Sequence, residues 1–259
     1  MELHKARDMC QSKFTHKGIH RERMTMSQVV SFSLFRFGSL RARIWAFVMM
    51  GLARRHMSKI DGIDFWKLCG SGSGEGFTPL PNTSVYAILA TWPDEATARR
   101  AIDNDPLYQR YKNTASEHWS MFMSTDTVRG EWSGQTPFIP TQHNKTGPLV
   151  ALTRATIKPS IAARFWRRVP NISNVIGKDP NVIFKIGVGE IPLLHQVTFS
   201  IWRDAAQMAN FARTGPHAEA ITAVRKEGWF NEELYARFTL LSDIGTWGGT
   251  SPLAKVNTI

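Results

Sequence analysis

The chain has 259 residues, of which 42% are hydrophobic, and it carries a formal net charge of +11. This apolar content is sufficient for a packed core and excludes disorder over most of the chain. The positive charge favours an anionic partner, but nucleic acid is not expected, because the sequence has neither zinc-ligand spacing nor a basic-aromatic recognition motif.

Residues 1–26 are predicted to form a disordered basic tail. Residues 1–23 contain six Lys or Arg and three His, without the apolar stretch of a secretory signal. The longest apolar run of the chain, Ile44 to Ala53, is too short to cross a membrane, so any membrane contact is expected to be peripheral. Only two cysteines are present, Cys10 and Cys69, which indicates a reducing compartment such as the cytoplasm.

The order of predicted elements in residues 27–128 is strand, helix, strand, strand, helix, strand. Apolar and β-branched runs predict the strands, and Ser39 and Asp94 are suitable N-caps for the two helices. The predicted segments are Val29–Phe37 (strand), Leu40–Arg55 (helix), Ile63–Cys69 and Thr83–Trp92 (strands), a helix from Asp94 to Asn104 that Asp105-Pro106 interrupts, and Trp119–Met123 (strand).

Residues 148–259 repeat this order after a linker, residues 129–147, that is rich in Gly, Pro, Thr and Gln. Each half is therefore predicted to be a ferredoxin-like βαββαβ unit, which leaves one sheet face uncovered. We expect the two units to pack these faces together, so that internal duplication gives an α+β fold, the fused dimeric α+β barrel. The predicted segments are Pro148–Ile157, a helix from Ser160, Val182–Val188, His195–Trp202, a helix from Asp204, and Leu234–Leu241.

Residue matches between the two halves support the duplication. Residues that occur in both halves, the tryptophans above all, are interpreted as scaffold. The matches are Trp92-Pro93-Asp94 with Trp202-Arg203-Asp204, Pro106 with Pro216 and Trp119 with Trp229, all at an offset of 110 residues, and Leu34 with Leu152 and Arg36 with Arg154 at an offset of 118 residues.

Features that occur in only one half are the candidates for function. His217 and His195 stand where the first half has apolar residues, and the glycine-rich loop at residues 70–76 has only a short counterpart. Such a loop is typical either of a flexible hairpin connection or of a backbone that closely approaches a ligand, with Phe77 as a wall. No spacing predicts a metal site made only of protein ligands, but a haem needs a single protein ligand and leaves little trace in the spacing.

Five segments of the chain carry a resemblance to a known family. They are residues 31–37 (SFSLFRF), 45–52 (WAFVMMGL), 65–79 (FWKLCGSGSGEGFTP), 82–94 (NTSVYAILATWPD) and 215–238 (GPHAEAITAVRKEGWFNEELYARF). In these segments the chain resembles the spheroidene monooxygenase family, the acyclic carotenoid 2-ketolases of purple phototrophic bacteria. The resemblance covers essentially everything after Met26.

The resemblance implies a haem-dependent monooxygenase that uses O₂ and reduced ferredoxin. Such an enzyme would introduce a 2-keto group into spheroidene, hydroxyspheroidene and related acyclic carotenoids by two hydroxylations and loss of water. Acidic ferredoxin and the anionic surface of the inner or photosynthetic membrane would both be attracted to a basic, cytoplasmic, peripherally associated protein. The alternatives are a non-enzymatic haem- or lipid-binding barrel and a haem dehydratase or dismutase on the same fold.

The site residues follow from likeness to other α+β barrels that hold haem, among them dismutases, peroxidases and aldoxime dehydratases. These barrels bind haem in the C-terminal unit through a histidine, so His217 is the expected axial ligand of the haem iron, with His195 as the alternative. Arg213 and Arg225 are the expected partners of the haem propionates. The expected walls of the substrate channel are Phe77 and Trp66.

Overall fold

The structure, a computed structural model, describes residues 27–74, 76, 78–141, 147–167, 179–203, 205–213, 222, 224 and 226–255. The predicted basic tail, residues 1–26, and the predicted helix cap Asp204 lie outside the described residues. In the first half the elements are β1 (Val29–Arg36), α1 (Leu40–Leu52), α2 (Arg54–Met57), β2 (Trp66–Gly72), β3 (Pro81–Trp92), α3 (Glu95–Asn104), α4 (Pro106–Thr114) and β4 (Glu117–Gly130).

The second half has the same order of strands. Its elements are β5 (Leu149–Ile157), a 3-10 turn (Pro159–Ile161), β6 (Val182–Gly189), β7 (His195–Trp202), α5 (Ala205–Arg213), β8 (Phe230–Gly245) and a second 3-10 turn (Pro252–Lys255).

The eight strands form one closed barrel in the order β1-β3-β2-β6-β7-β5-β8-β4, and all neighbouring strands are antiparallel. This confirms the predicted α+β barrel. Strands β4 and β8 extend well beyond their predicted bounds because they pair with each other along almost their whole length, which joins the halves. At the other junction β2 and β6 pair only through Gly70–Gly189 and Ser71–Val188.

Helices α1, α3 and α4 cover the outer face of the first sheet. Asp94 caps α3 by accepting a hydrogen bond from the N–H of Thr97 at 2.7 Å, and Asp105 caps α4 just before Pro106. The predicted interruption at Asp105-Pro106 is thus the boundary between two helices. Between these helices and the sheet lies a tightly packed apolar layer that includes Phe35 and Tyr111, whose ring centroids are 5.1 Å apart.

The register of the strands corrects three of the residue matches. Val29 of β1 pairs with Trp92, and Leu149 of β5 pairs with Trp202, so β1 and β5 are related by an offset of 120 residues. The matches of Leu34 with Leu152 and of Arg36 with Arg154, both at an offset of 118, are therefore wrong by two residues. A shift of two residues is the smallest that leaves the same side chains facing inward. Arg154 instead takes the barrel position that Leu34 occupies in the first half.

The match of Trp119 with Trp229 is also wrong. Trp119 lies within β4 opposite Leu34, whereas Trp229 precedes the first residue of β8. Both side chains are nevertheless fully buried, as are Trp92 and Trp202. The interpretation of the four tryptophans as scaffold is consistent with this burial.

Candidate functional site

Apolar side chains from both halves fill the interior of the barrel. Phe32 of β1 and Phe199 of β7 stack across it with ring centroids 4.4 Å apart, and Trp119 meets Phe184 edge-on at 4.9 Å. Because the two sheets touch through these rings, they are packed too closely there to admit a flat cofactor between them. A cofactor site has to be sought at the ends of the barrel or on its outer faces.

A cluster of four charged side chains closes one end of the barrel, and we call it the end cluster. At its centre is Arg154 of β5, whose side chain is 1% exposed. The Arg154 guanidinium donates to the carboxylate of Glu232 in β8 and lies 3.9 Å from Glu190, which follows β6. Glu190 also pairs with Lys67 of β2 at 3.1 Å. The end cluster therefore contains two positive and two negative side chains, so its net charge is zero, and water is largely excluded from it.

The chain that joins the two halves is attached to the end cluster. The indole Nε1 of Trp132 donates to Glu190 at 2.7 Å, and the N–H groups of Ser133 and Gly134 donate to Glu232 at 3.1 and 2.7 Å. Burial alone would raise the pKa of Glu232, but these two N–H donors and the guanidinium outweigh it and hold the pKa below its usual range. The end cluster thus fixes the linker across the barrel end.

The end cluster was not predicted from the sequence, although the sequence contains one signal for it. Lys67, Arg154 and Glu232 stand at positions where the alternation of their strands directs side chains inward, and a charge at such a position is unusual. The alternation does not reveal that the three side chains meet at one end.

His195, the alternative ligand, and the buried thiol of Cys69 lie beside the end cluster. The Nδ1 atom of His195 is 3.5 Å from Glu190, and it is buried without a hydrogen-bond partner among the described residues. Burial lowers the pKa of His195, so its ring is neutral at pH 7. Burial, and after it the charge of Glu190, raises the pKa of the Cys69 thiol above its usual range, which favours the protonated thiol over the thiolate.

A pocket of about 460 Å³ opens at the weak junction between β2 and β6. One wall is residues 182–186 of β6, and the other includes Arg36, whose guanidinium lies 4.4 Å from the ring centroid of Trp247. The Nε atom of Arg36 is 3.3 Å from Glu117. With Asn82 and neighbouring serines also in its lining, the pocket is suited to a small polar or anionic group rather than to an apolar chain.

The outer face of the second sheet differs in chemistry from that of the first. At equivalent positions of the register, bulky apolar side chains of the first sheet are replaced by small or polar ones. Among the described residues, the apolar cluster over the second sheet has only Trp202 and Met208 as buried members. The replaced pairs are Phe35 with Ala155, Leu68 with Gly187, Tyr86 with Gln196 and Ile88 with Thr198.

The glycine-rich loop of the first half reaches the outer face of the second sheet. A Cβ atom on Gly187 of β6 would lie 2.3 Å from the carbonyl oxygen of Gly76, and a Cβ on Gly76 would collide with the Gly187 backbone. Gly76 has a φ of +89°, which side chains rarely adopt. The glycines are needed here because two backbones touch, and the loop forms an edge of the layer over the second sheet.

The residues predicted for the site fall into three groups. His217, Arg225 and Phe77 lie outside the described residues. Arg213 is the last residue of α5 and is exposed, on the side of the second sheet. Trp66 packs against the helices of the first half and does not line the pocket at the junction.

The described part of the chain contains no group of three or more His, Cys, Asp or Glu residues arranged to hold a metal ion. It also has no helix with the length and apolar character that crossing a bilayer requires.

Comparison with solved structures identifies similar barrels. An aldoxime dehydratase is similar with a TM-score of 0.58 and 11% identity, over 86% of this chain and 85% of that chain. An aldoxime dehydratase in complex with butyraldoxime has a TM-score of 0.55 and 10% identity, over 89% of this chain and 86% of that chain. Likeness at this level of identity establishes the fold alone.

Comparison of sequences is more specific. No protein-family model matches the chain. The spheroidene monooxygenase of Rhodobacter capsulatus is 51% identical over 231 residues, which cover 88% of this chain and 96% of that protein. The spheroidene monooxygenase of Cereibacter sphaeroides is 48% identical over 234 residues, which cover 89% of this chain and 72% of that protein. The chain belongs to the spheroidene monooxygenase family.

Proposed function

We propose that this protein is a haem-dependent monooxygenase that introduces a 2-keto group into spheroidene and related acyclic carotenoids, using O₂ and reduced ferredoxin. The observation that carries the proposal is the 51% identity to a spheroidene monooxygenase across 96% of that protein's length. At this identity and coverage the two chains share one fold throughout, and a shared reaction is the simplest account of that similarity.

The layer over the second sheet is the part of the fold that best fits a haem. Its floor carries Ala155, Gly187 and Thr198, whereas Phe35, Leu68 and their neighbours occupy the equivalent places in the first half. A small-residue floor leaves room for a flat apolar ring, and the filled barrel interior does not. When bound, haem supplies the activation of O₂.

This location discriminates between the two histidine candidates. His195 faces the barrel interior beside Glu190, on the opposite side of the sheet from α5. A group held over the outer face is therefore out of its reach, which favours His217 as the residue that would hold the haem iron. Arg213, at the exposed end of α5, and Arg225 would pair with the propionates.

The protein's other proposed tasks are to orient the carotenoid end and to exclude water from the reacting carbon. The glycine-rich loop supports this role because its backbone lies against Gly187, at the edge of the proposed haem layer. Phe77 is adjacent to that contact in the sequence, and we retain it as a proposed wall of the substrate channel. The position of Trp66 in the helix layer of the first half gives no support for the same role.

The ligand assignment is tested by absorption spectra of His217→Ala and His195→Ala. We expect His217→Ala to lose the Soret band and His195→Ala to retain it. If His217→Ala keeps an unchanged Soret band, the assignment is wrong. An unmodified protein that contains no haem after expression with haem supplied would refute the cofactor itself.

The reaction is tested with the unmodified protein, spheroidene, reduced ferredoxin and its reductase. We expect a product that carries a 2-keto group, detected by mass and by the colour shift of the longer conjugated system, and we expect it only when O₂ is present. A haem-loaded protein that gives no product would instead support a binding protein. Turnover without O₂ would indicate a dehydratase or a similar reaction.

A further inference from the structure

Helix α1 presents a continuous apolar stripe to solvent. Its members are separated by four, three, one and four residues, the spacing that places side chains on one helical face. They are between 48% and 73% exposed, whereas side chains of this kind are usually buried. The stripe consists of Leu40, Ile44, Phe47, Val48 and Leu52.

The orientation of this stripe is fixed by the other face of the helix. Ala46 and Met49 are buried against the barrel, and the ring of Trp45 contacts that of Tyr111 at a centroid distance of 5.0 Å. Ser39 caps the helix by accepting a hydrogen bond from the N–H of Ala42. The helix cannot turn the stripe inward without giving up these contacts, so the exposed apolar face is a permanent property of the folded protein.

The Lys, Arg, Asp and Glu residues of the segment that carries the stripe have one sign of charge. Residues 36–60 contain six Lys or Arg and no Asp or Glu. Arg41, at the start of α1, and Arg54, Arg55 and Lys59, beyond its end, are exposed. Basic groups at both ends of an apolar helical face are the pattern of a helix that lies in the interface of an anionic bilayer.

We propose that α1 docks the protein on an anionic lipid bilayer, with the stripe inserted among the acyl chains and the flanking basic residues on the headgroups. At 13 residues the helix is about 20 Å long, which suits it to lie in the interface. A second copy of the chain is a poor partner, because a two-fold contact through α1 would bring like charges together. This inference goes beyond the proposed function. It rests on the proposed function only in taking the substrate to be a carotenoid dissolved in the membrane.

Docking through α1 would also place one pocket close to the bilayer. Arg36, which lines the pocket at the junction of β2 and β6, is four residues before Leu40. The basic character of that pocket suits it to a headgroup at the same surface.

The test is flotation of the full-length protein with vesicles of phosphatidylcholine that contain phosphatidylglycerol, and with vesicles of phosphatidylcholine alone. We expect Phe47→Ser/Leu52→Ser to lower the partition coefficient on the mixed vesicles by about tenfold or more. The matched control Ile139→Ser/Leu241→Ser, which removes two exposed apolar side chains elsewhere, is expected to bind as the unmodified protein does.

A second pair tests the charges. Arg54→Gln/Arg55→Gln is expected to weaken binding to the mixed vesicles by about tenfold and to reduce its salt dependence, with little effect on the vesicles without phosphatidylglycerol. Equal flotation of the unmodified protein and Phe47→Ser/Leu52→Ser would overturn the proposal. The proposal would also be overturned if the unmodified protein sediments as a dimer and Phe47→Ser/Leu52→Ser sediments as a monomer. It would equally be overturned if Phe47→Ser/Leu52→Ser binds vesicles normally but no longer binds an acidic protein that the unmodified protein binds.

Measurements of activity on spheroidene in detergent and in vesicles test membrane docking by α1 separately from the proposed enzymatic function. Phe47→Ser/Leu52→Ser is expected to retain activity on spheroidene dissolved in detergent and to lose it on spheroidene held in vesicles. If the unmodified protein is inactive in detergent, the proposed function fails, but the flotation result still decides whether α1 binds the bilayer. Equal loss of activity in detergent and in vesicles would overturn a docking role for the stripe.

Discussion

Replacement of Arg154 by Leu tests the energetic role of the end cluster. Leu is a suitable substitute because Leu34 occupies the equivalent barrel position in the first half. The change therefore introduces a side chain that the fold already accommodates at this position of the other half. The variant leaves the carboxylates of Glu232 and Glu190 without the guanidinium that lies between them. We expect it to fold and to be less stable.

The magnitude follows from the partners that remain. Removal of one partner from a buried ion pair costs about 3–5 kcal/mol in the free energy of unfolding. Glu190 retains Lys67 and Trp132, and Glu232 retains two backbone N–H donors, so a loss near 3 kcal/mol is expected. With a urea m-value of about 3 kcal/mol/M, this loss lowers the unfolding midpoint by about 1 M.

A second substitution identifies the cause of the loss. In Arg154→Leu/Glu232→Gln the uncompensated charge is gone, while an amide oxygen remains to accept from the linker N–H groups. We expect the double variant to recover at least about 1 kcal/mol relative to Arg154→Leu. Urea unfolding followed by tryptophan fluorescence and by circular dichroism measures both values and shows whether the transitions coincide.

The effect also depends on pH. The pKa of Glu232 is lowered in the folded protein, so its ionised form contributes stability above the pKa of the unfolded chain, and this contribution is lost as the pH falls through the folded value. The difference in the free energy of unfolding between the unmodified protein and Arg154→Leu should therefore have its full value at pH 7 and should become smaller below about pH 4.3. An unchanged urea midpoint for Arg154→Leu, or a double variant no more stable than the single one, would refute the reasoning.

Two other features give predictions that can be measured in the same way. Gly187→Ala places a Cβ atom 2.3 Å from the carbonyl oxygen of Gly76, so we expect the glycine-rich loop to be displaced, with faster proteolysis and hydrogen exchange in residues 73–80; protection equal to that of the unmodified protein would contradict this. Trp132→Phe keeps an aromatic six-membered ring but removes the pyrrole ring of a buried indole together with its hydrogen bond to a largely buried carboxylate, and we expect a loss of at least about 1–3 kcal/mol in the free energy of unfolding measured with urea. No loss in Trp132→Phe would show that the linker is not held through this bond.

Much of the fold could be predicted because it depends on local patterns. Alternating apolar residues specify strands, and Asp94 and Asp105-Pro106 specify where helices begin. The repeated order of these elements then leads to the barrel. The candidate site could be predicted less well, since the expected ligand His217 rests on likeness to other barrels and lies outside the described residues.

The register of the repeat could not be predicted with the same certainty. Matching of Arg36 with Arg154 and the true pairing differ by two residues, and both keep the same side chains facing inward. Only the hydrogen-bonded partners of Trp92 and Trp202 distinguish the two registers. The corrected register of β1 and β5 pairs Phe35 with Ala155, which is one of the four replacements that form the small-residue floor of the second sheet.

The sequence by itself determined the duplicated βαββαβ order, the basic character of the chain and its family, because each is a property of residue order or composition. The tertiary structure decided which charges meet at the barrel end, since Lys67, Arg154 and Glu232 come from distant strands. It also decided which face of α1 is exposed. That helix is apolar on both sides, and only packing against the barrel selects the face that remains exposed to solvent.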